Sequence, residues 1–317
     1  MVELAKLVCC GAINWDISLF VNRLPRLGEE VQVNRIERFS GGTAANVAVA
    51  AARILGPRKV AFIGALGDDE IGARQLETLK GEGVDTRGIL VLPGEESGQA
   101  YITISEDGEN EIHTYFGANL KLSSHHLAEN CGEILDNADG CVIMDPPLGA
   151  AKTLAEICKE KGVRVIWDPG VYASQGLEPL KPTLKHTDIL ILNRLEYETL
   201  VGTSNPQRIY GKLKEHNPGL TIVVKQGEEG SSAYNQEGFI YAPPLPLEEL
   251  GLQIMNTVGC GDAFIGGLAA GLVQGKSLRD AMIQGNVAGG LKATRYETRG
   301  SPHREELEKY LGAIKQP

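Results

Sequence analysis

Two short segments hold most of the residues that could do chemistry. In Asn256–Thr257–Val258–Gly259–Cys260–Gly261–Asp262–Ala263–Phe264, two glycines and a small residue run into an apolar helical pattern. Glycines let the backbone come close to a ligand and aim successive N–H groups at it. A helix start adds unpaired N–H donors and the positive end of its dipole. Such a place suits a phosphate, or the charge that develops during phosphoryl transfer. Asp262 falls in the first turn of that helix. A carboxylate there is either a plain helix-start acid, worth about 0.3–1 kcal/mol, or the base that takes a proton from an attacking hydroxyl; spacing leaves both open. The second segment, Ser40–Gly41–Gly42–Thr43–Ala44–Ala45–Asn46, opens another helix. Its paired glycines leave room over the helix start, and Asn46 offers both a donor and an acceptor to hydroxyl groups.

A third segment is a decoy. Gly271–Leu272–Val273–Gln274–Gly275–Lys276–Ser277 resembles a P-loop but has three residues between its glycines where four are needed, and a helix precedes it instead of a strand. Gly275 reads as a helix stop, and Ser277 with Asp280 as the cap of the next helix.

The elements that must position these segments alternate. Leu7–Ala12, Val60–Gly64, Cys141–Met144, Val163–Trp167, Ile189–Leu192 and Leu220–Val224 read as buried strands. Between them, helical patterns cover Ala44–Leu55, Glu70–Glu82, Ser123–Asn137, Ala150–Lys161, Glu178–Lys185 and Pro206–His216, and the last third adds Ala263–Gln274, Ser277–Thr294 and His303–Ile314. This rhythm predicts an α/β fold with a largely parallel sheet and helices on both faces. Ile17–Phe39 and Gln99–Phe116 break it: both alternate polar and apolar residues with no helix between, and the second turns at Glu106–Asp107–Gly108. Two antiparallel inserts of this kind can pair into a small second sheet that acts as a lid or a subunit contact.

Bulk properties exclude several classes. The 317 residues carry a net charge of −10, with 42% hydrophobic, 23% charged and 5% aromatic residues and 39 glycines. No basic stripe with interleaved aromatics is present, which argues against nucleic-acid binding. No segment approaches the roughly 18 continuous apolar residues of a membrane span. The N-terminus lacks the cleavage site of a signal peptide. The cysteines, Cys9, Cys10, Cys131, Cys141, Cys158 and Cys260, form no C-x-x-C pair and sit mostly in apolar runs. Buried free thiols in a reducing cytoplasm are the expectation.

Gly41–Gly42…Asn46 and Gly259–Cys260–Gly261–Asp262 resemble the two signature regions of the ribokinase-like (PfkB) kinases. Gly64–Ala65–Leu66–Gly67–Asp68–Asp69…Gly72, Gly108–Glu109–Asn110, Gly117–Ala118–Asn119 and Asn193–Arg194–Leu195–Glu196 resemble further elements of that family, in the same order. The resemblance implies a three-layer α/β fold in one domain over 1–317, with lid inserts over 17–39 and 99–116 and a possible homodimer through the lid. It implies a kinase that moves the terminal phosphoryl group of ATP to a primary hydroxyl of a sugar, or alternatively of a ribonucleoside. Asp262 would be the base, and the N–H groups of Gly259, Cys260 and Gly261 the anion hole. Asn193 and Glu196 would position Mg²⁺ through water, while Lys225, Gly227 and Asn286 would meet the nucleotide. Asn14, Asp16, Gly42, Asn46 and Asp145 would bind the acceptor. Strand alternation puts Asn14 and Asp16 on one face and Trp15 on the other.

Two departures bear on chemistry. Many members carry an Asp where this chain has Asn256, and that Asp helps to bind a monovalent cation, so dependence on K⁺ is an open point. Ribokinases carry a Lys where this chain has Thr43, which weakens ribose itself as the acceptor. The run Trp167–Asp168–Pro169–Gly170 is similar to archaeal-type nucleoside kinases of the family. Phe20, Tyr101, His113 and Phe116 in the inserts are candidates to face a nucleobase.

Overall fold

The computed structural model describes residues 5–312 and Ile314. The strands are β1 (Leu7–Gly11), β2 (Asn14–Val21), β3 (Val33–Gly41), β4 (Val60–Gly67), β5 (Asp85–Leu92), β6 (Gly98–Ser105), β7 (Asn110–Tyr115), β8 (Gly140–Met144), β9 (Arg164–Asp168), β10 (Ile189–Asn193), β11 (Thr221–Lys225), β12 (Ser231–Asn235) and β13 (Gly238–Ala242). Nine of them form one sheet in the order β13-β12-β11-β10-β9-β8-β1-β4-β5. From β11 to β5 every pairing is parallel, and β12 and β13 close one side as an antiparallel hairpin. Every residue of β1, β4 and β8 is buried, which is why they read as unbroken apolar runs with helices on both faces.

The helix Thr43–Leu55 packs on β1 and β4 beside the C-terminal helix Cys260–Val273, which itself reaches β1 and β8. Its run of Ala and Val is almost wholly buried. Small residues let it press against the helix Cys260–Val273: a Cβ on Gly266 would stand 2.6 Å from Ala50 Cβ. That close approach is what brings the two glycine-rich segments face to face. Among the described residues no helix is long and apolar enough to cross a membrane.

The two inserts form a second sheet in the order β3-β2-β6-β7. Each is an antiparallel hairpin, as expected, but the two join through a parallel pairing of β2 with β6 that the sequence pattern did not suggest. Three other expectations needed correction. The helix expected over Ser123–Asn137 is two pieces, Ser124–Asn130 and Gly132–Leu135; the break lets Leu127, Cys131 and Leu135 all reach the core. The stretch Glu178–Lys185 is a 3₁₀ turn followed by a single helical turn, each with a proline near its start. The strands β5, β12 and β13, at or next to the sheet edges, were not anticipated. All cysteines are buried except Cys260, which is half-buried, and none is in a disulfide.

Candidate active site

The parallel strands end on one rim, and four neighbours each leave a polar group there. Asp145 follows β8, Asp168 ends β9, Asn193 ends β10 and Lys225 ends β11. This is where ligands bind in open parallel sheets.

The residues expected to bind the acceptor are held by the small sheet and the helix Thr43–Leu55. Asn14, Asp16 and Ser18 share the buried face of β2, while Trp15 is half-buried on the other. Opposite them the glycine pair is required by space. A Cβ on Gly41 would lie 2.1 Å from an Asp16 carboxylate oxygen, and one on Gly42 only 2.5 Å from Asn14 N. Gly42 also has φ 91°, in the region that favours glycine. Asn14 Oδ1 accepts from Asn119 Nδ2 at 2.9 Å, and Asn119 Oδ1 accepts from Ile13 N at 3.0 Å, which fixes the orientation of both amides.

Asn46 donates from Nδ2 to Asp262 Oδ2 at 2.8 Å. Its Oδ1 accepts from Arg299 Nε at 2.9 Å, so the amide can point only one way. Arg299 also donates to Gly41 O and Gln75 Oε1. Thr43 Oγ1 donates to Asp145 Oδ2 at 2.8 Å, and Val171 N to Asp145 Oδ1 at 2.9 Å. Asp145 has φ 56°, a left-handed conformation that Asp tolerates better than most residues.

These acids share one field. Burial lifts Asp262 to about 6, against the Asn46 hydrogen bond and the nearby Lys225. Burial lifts Asp16 to about 7 despite Arg299, with Asp262 adding to the rise. Burial, then the neighbouring Asp168, lifts Asp145 to about 7. Arg299 itself is drawn down to about 10 by burial, with Asp16 opposing.

The phosphate half begins at the helix Cys260–Val273. Its N-cap Gly259 has φ 83°, and a Cβ there would meet Thr298 O at 2.4 Å. Of the expected anion-hole donors, Cys260 N already donates to Thr257 O at 3.2 Å, closing a turn. Gly259 N and Gly261 N bond no acceptor among the described residues. Lys225 Nζ lies 3.6 Å from where a Cβ of Gly261 would stand and donates to Asp168 Oδ2 at 2.8 Å. Burial opposes the Lys225 charge, but Asp168, Glu196 and Asp262 outweigh it, and its pKa rises.

The remaining expected residues sit further out. Asn193 and Glu196 form a reciprocal cap on the helix Arg194–Val201: Glu196 N donates to Asn193 Oδ1 at 2.8 Å, and Asn193 N to Glu196 Oε2 at 2.7 Å. Glu196 is raised by burial, with Lys225 opposing and Asp168 adding. Gly227 has φ 60° and open space beside it. Asn286 spends its amide hydrogens on Ala242 O and Pro243 O, pinning the end of β13 to the helix Leu278–Ala293. Of the aromatics in the inserts, Phe20 shares the Asp16 face of β2, with the Arg35 guanidinium 3.9 Å from its ring centre. Tyr101 pairs with Ile17 and His113 with Tyr101, on the opposite face.

Sequence reasoning assigned no role to Asp168 or Arg299. Asp168 was within reach, as the first polar residue after a β-rich run. Arg299 lies in the polar stretch between the last two helices, where periodicity carries no information.

The pfkB family carbohydrate kinase profile matches residues 4–304. An ATP-dependent ribose-1-phosphate kinase of Halopiger xanaduensis is 26% identical over 308 residues, covering 97% of this chain and 98% of the relative. The solved structure of Arabidopsis thaliana ribokinase with ribose and ATP superposes with a TM-score of 0.86 at 28% identity, covering 98% of this chain and 99% of that one. The nucleoside kinase of Methanocaldococcus jannaschii shares the fold, with a TM-score of 0.81 at 19% identity, covering 99% of this chain and 100% of that one. The chain therefore belongs to the PfkB family of carbohydrate kinases, which move a phosphoryl group to an alcohol of a small molecule.

Proposed function

We propose that this kinase transfers the terminal phosphoryl group of ATP to a primary hydroxyl of a ribose-type sugar, with Asp262 as base. The observation that carries the reading is the Asp262 carboxylate: buried, in the first turn of the Cys260–Val273 helix, and held through Oδ2 by Asn46. Its Oδ1 remains to take the acceptor proton. As that proton leaves, the acceptor oxygen bonds to the terminal phosphorus and the bond to the bridging oxygen breaks, releasing ADP. The charge on the transferred group falls to the N–H groups of Gly259 and Gly261 and to Lys225.

Asn14, Asp16, Asn46 and Asp145 line the acceptor side with fixed donors and acceptors. Asp16 accepts no hydrogen bond among the described residues, which suits a carboxylate awaiting sugar hydroxyls. The relatives support the substrates: one is a ribokinase seen with ribose and ATP, another a ribose-1-phosphate kinase that uses ATP. Mg²⁺ suits this donor set, because Glu196 keeps Oε1 free of protein hydrogen bonds and a hard cation on phosphates retains its waters. When bound, it would neutralise phosphate charge, with Glu196 and Asn193 ordering its water shell. Ile36, Tyr101 and Tyr115 leave apolar surface exposed on the small sheet, which supports a homodimer through that sheet. A ribonucleoside acceptor is the second reading. It is favoured by the flat Phe20–Arg35 surface on the Asp16 side of β2.

A coupled assay for nucleotide turnover with Mg²⁺, across free pentoses, ribose 1-phosphate and ribonucleosides, tests the reading. Turnover with ribose or its 1-phosphate supports it, nucleosides alone replace it with the second reading, and no turnover with any acceptor overturns both.

A further inference from the structure

Lys292 is 0% exposed, and no carboxylate lies within ion-pair distance of it among the described residues. Its Nζ donates to Asn256 O at 2.9 Å and reaches Arg295 O at 3.5 Å. A buried ammonium is costly unless something replaces its water; here the replacement is backbone carbonyl oxygen, the same ligand chemistry that holds a dehydrated K⁺. The two carbonyls belong to the two loops that shape the anion hole. Asn256 opens the turn leading to Gly259. Arg295 opens the stretch whose Thr298 O packs against Gly259 and whose Arg299 holds Asn46.

Asn256 completes the arrangement. Its Nδ2 donates to Tyr296 O at 2.7 Å, and its Oδ1 accepts from Val258 N at 3.0 Å. A carboxylate at this position could keep the second bond but not the first; it would face Tyr296 O with no hydrogen to give, and only a cation between them would reconcile the two. A free monovalent cation, which the family resemblance implies at this position, therefore does not fit the residues present. The carbonyls it would need already face Nζ and an amide.

We infer that the Lys292 ammonium is a built-in monovalent cation that ties the Asn256 loop to the Arg295 loop, so that the kinase works without free K⁺. Lys292 is a positioning residue: it acts through the loops and touches no reacting atom. The catalytic part of this inference rests on the anion-hole reading above; the binding part does not.

The test has two readouts. Wild-type turnover is measured in chloride salts of K⁺, ammonium, Na⁺ and tetramethylammonium, and the rates are expected to agree within about twofold, against the 10²–10³-fold cost of losing a charge-stabilising donor. Lys292→Ala and the longer apolar Lys292→Met are then melted in the same salts. Lys292→Ala leaves a carbonyl-lined hollow, so K⁺ or ammonium is expected to raise its melting temperature and at least part of its rate, while tetramethylammonium does neither. Lys292→Met fills the hollow and is expected to respond to no salt. The inference is overturned if K⁺ activates the wild type severalfold, or if Lys292→Ala melts at one temperature in all four salts. A wild type silent with every acceptor, beside a Lys292→Ala protein stabilised by K⁺, would sink the kinase reading and keep the cation site.

Discussion

The two halves of the site are held in opposite ways. On the acceptor side most polar groups are tied by buried or part-buried hydrogen bonds that cross long stretches of sequence: Asn14 to Asn119, Thr43 to Asp145, Asn46 to both Asp262 and Arg299. On the nucleotide side Gly227 stands open, and the ion pair beside it, Arg194 to Glu229, is exposed. A buried polar network leaves a wrong acceptor with unpaired groups, and so discriminates strongly. An open rim of glycine and solvated charge admits a ligand that brings its own charge, metal and water. On the proposed reading, acceptor choice thus rests on rigidity, and nucleotide binding on electrostatics.

The largest break comes from Asp262, where the halves meet. Asp262→Asn keeps the shape and the Asn46 contact but cannot take a proton. Turnover should fall by about 10²–10⁴-fold, the usual contribution of a positioned base, while acceptor affinity by calorimetry changes little. A variant with near-normal kcat would leave Asp262 as no more than a helix-start acid. Because burial sets Asp262 at about 6, the wild-type kcat/KM should rise with pH as that carboxyl loses its proton, and flatten above it.

Arg299 sharpens the comparison from the acceptor side. Arg299→Lys retains the charge but not the planar fork that serves Asn46 Oδ1 and Gly41 O together. Asn46 then loses the bond that aims its Nδ2 at Asp262. We expect kcat/KM for the acceptor to fall about tenfold, the effect of losing about 1.4 kcal/mol of positioning, with the KM for ATP unchanged. Equal losses for both substrates would mean a general loosening of the fold instead.

Much of this was legible beforehand, and the reason differs by region. The segments at Gly41–Asn46 and Gly259–Asp262 could be read because a glycine pair before a helix is local chemistry. The central strands were legible because burial on both faces leaves uninterrupted apolar runs. Arg299 and Lys292 were not, because their roles come from partners far away in the chain: Arg299 meets Asn46 across 253 positions, and Lys292 meets Asn256 across 36. The edge strands β5 and β13 were hidden because their exposed residues dilute the apolar pattern, and β12 because its run Ser231–Asn235 is mostly polar. Asn286 shows the limit of such reading: its amide hydrogens go to Ala242 O and Pro243 O at the end of β13. A buried Asn in a helix looks the same in sequence whether it meets a ligand or ties down a neighbouring strand.

Glu196 probes the nucleotide side. Its carboxylate both caps a helix and, on the proposed reading, orders water around Mg²⁺. Glu196→Gln keeps an oxygen for Asn193 N but loses the charge. The Mg²⁺ concentration at half-maximal rate should rise about tenfold, the low end of what losing a group around a metal costs, with acceptor KM unmoved. A change confined to melting temperature would leave Glu196 a cap alone.

The smallest effect is on stability, and it tests whether the rigid acceptor half carries strain. Burial holds Asp145 at about 7, far above its ordinary value. The folded state therefore binds this proton more tightly than the unfolded chain does. Its contribution to stability is fully present below the unfolded pKa and is lost as pH rises through about 7. Asp145→Asn removes the titration while an amide can still accept from Val171 N and donate to Thr43 Oγ1. The variant and the wild type should melt together near pH 4, and the variant should melt higher at pH 8, by about 2 °C for each kcal/mol of strain relieved. The same variant should lose acceptor affinity, since a site kept charged against its burial is stability given up for binding. A melting difference that is the same at both pH values would show that Asp145 is ionised throughout, and that the acceptor half is no more strained than the nucleotide half.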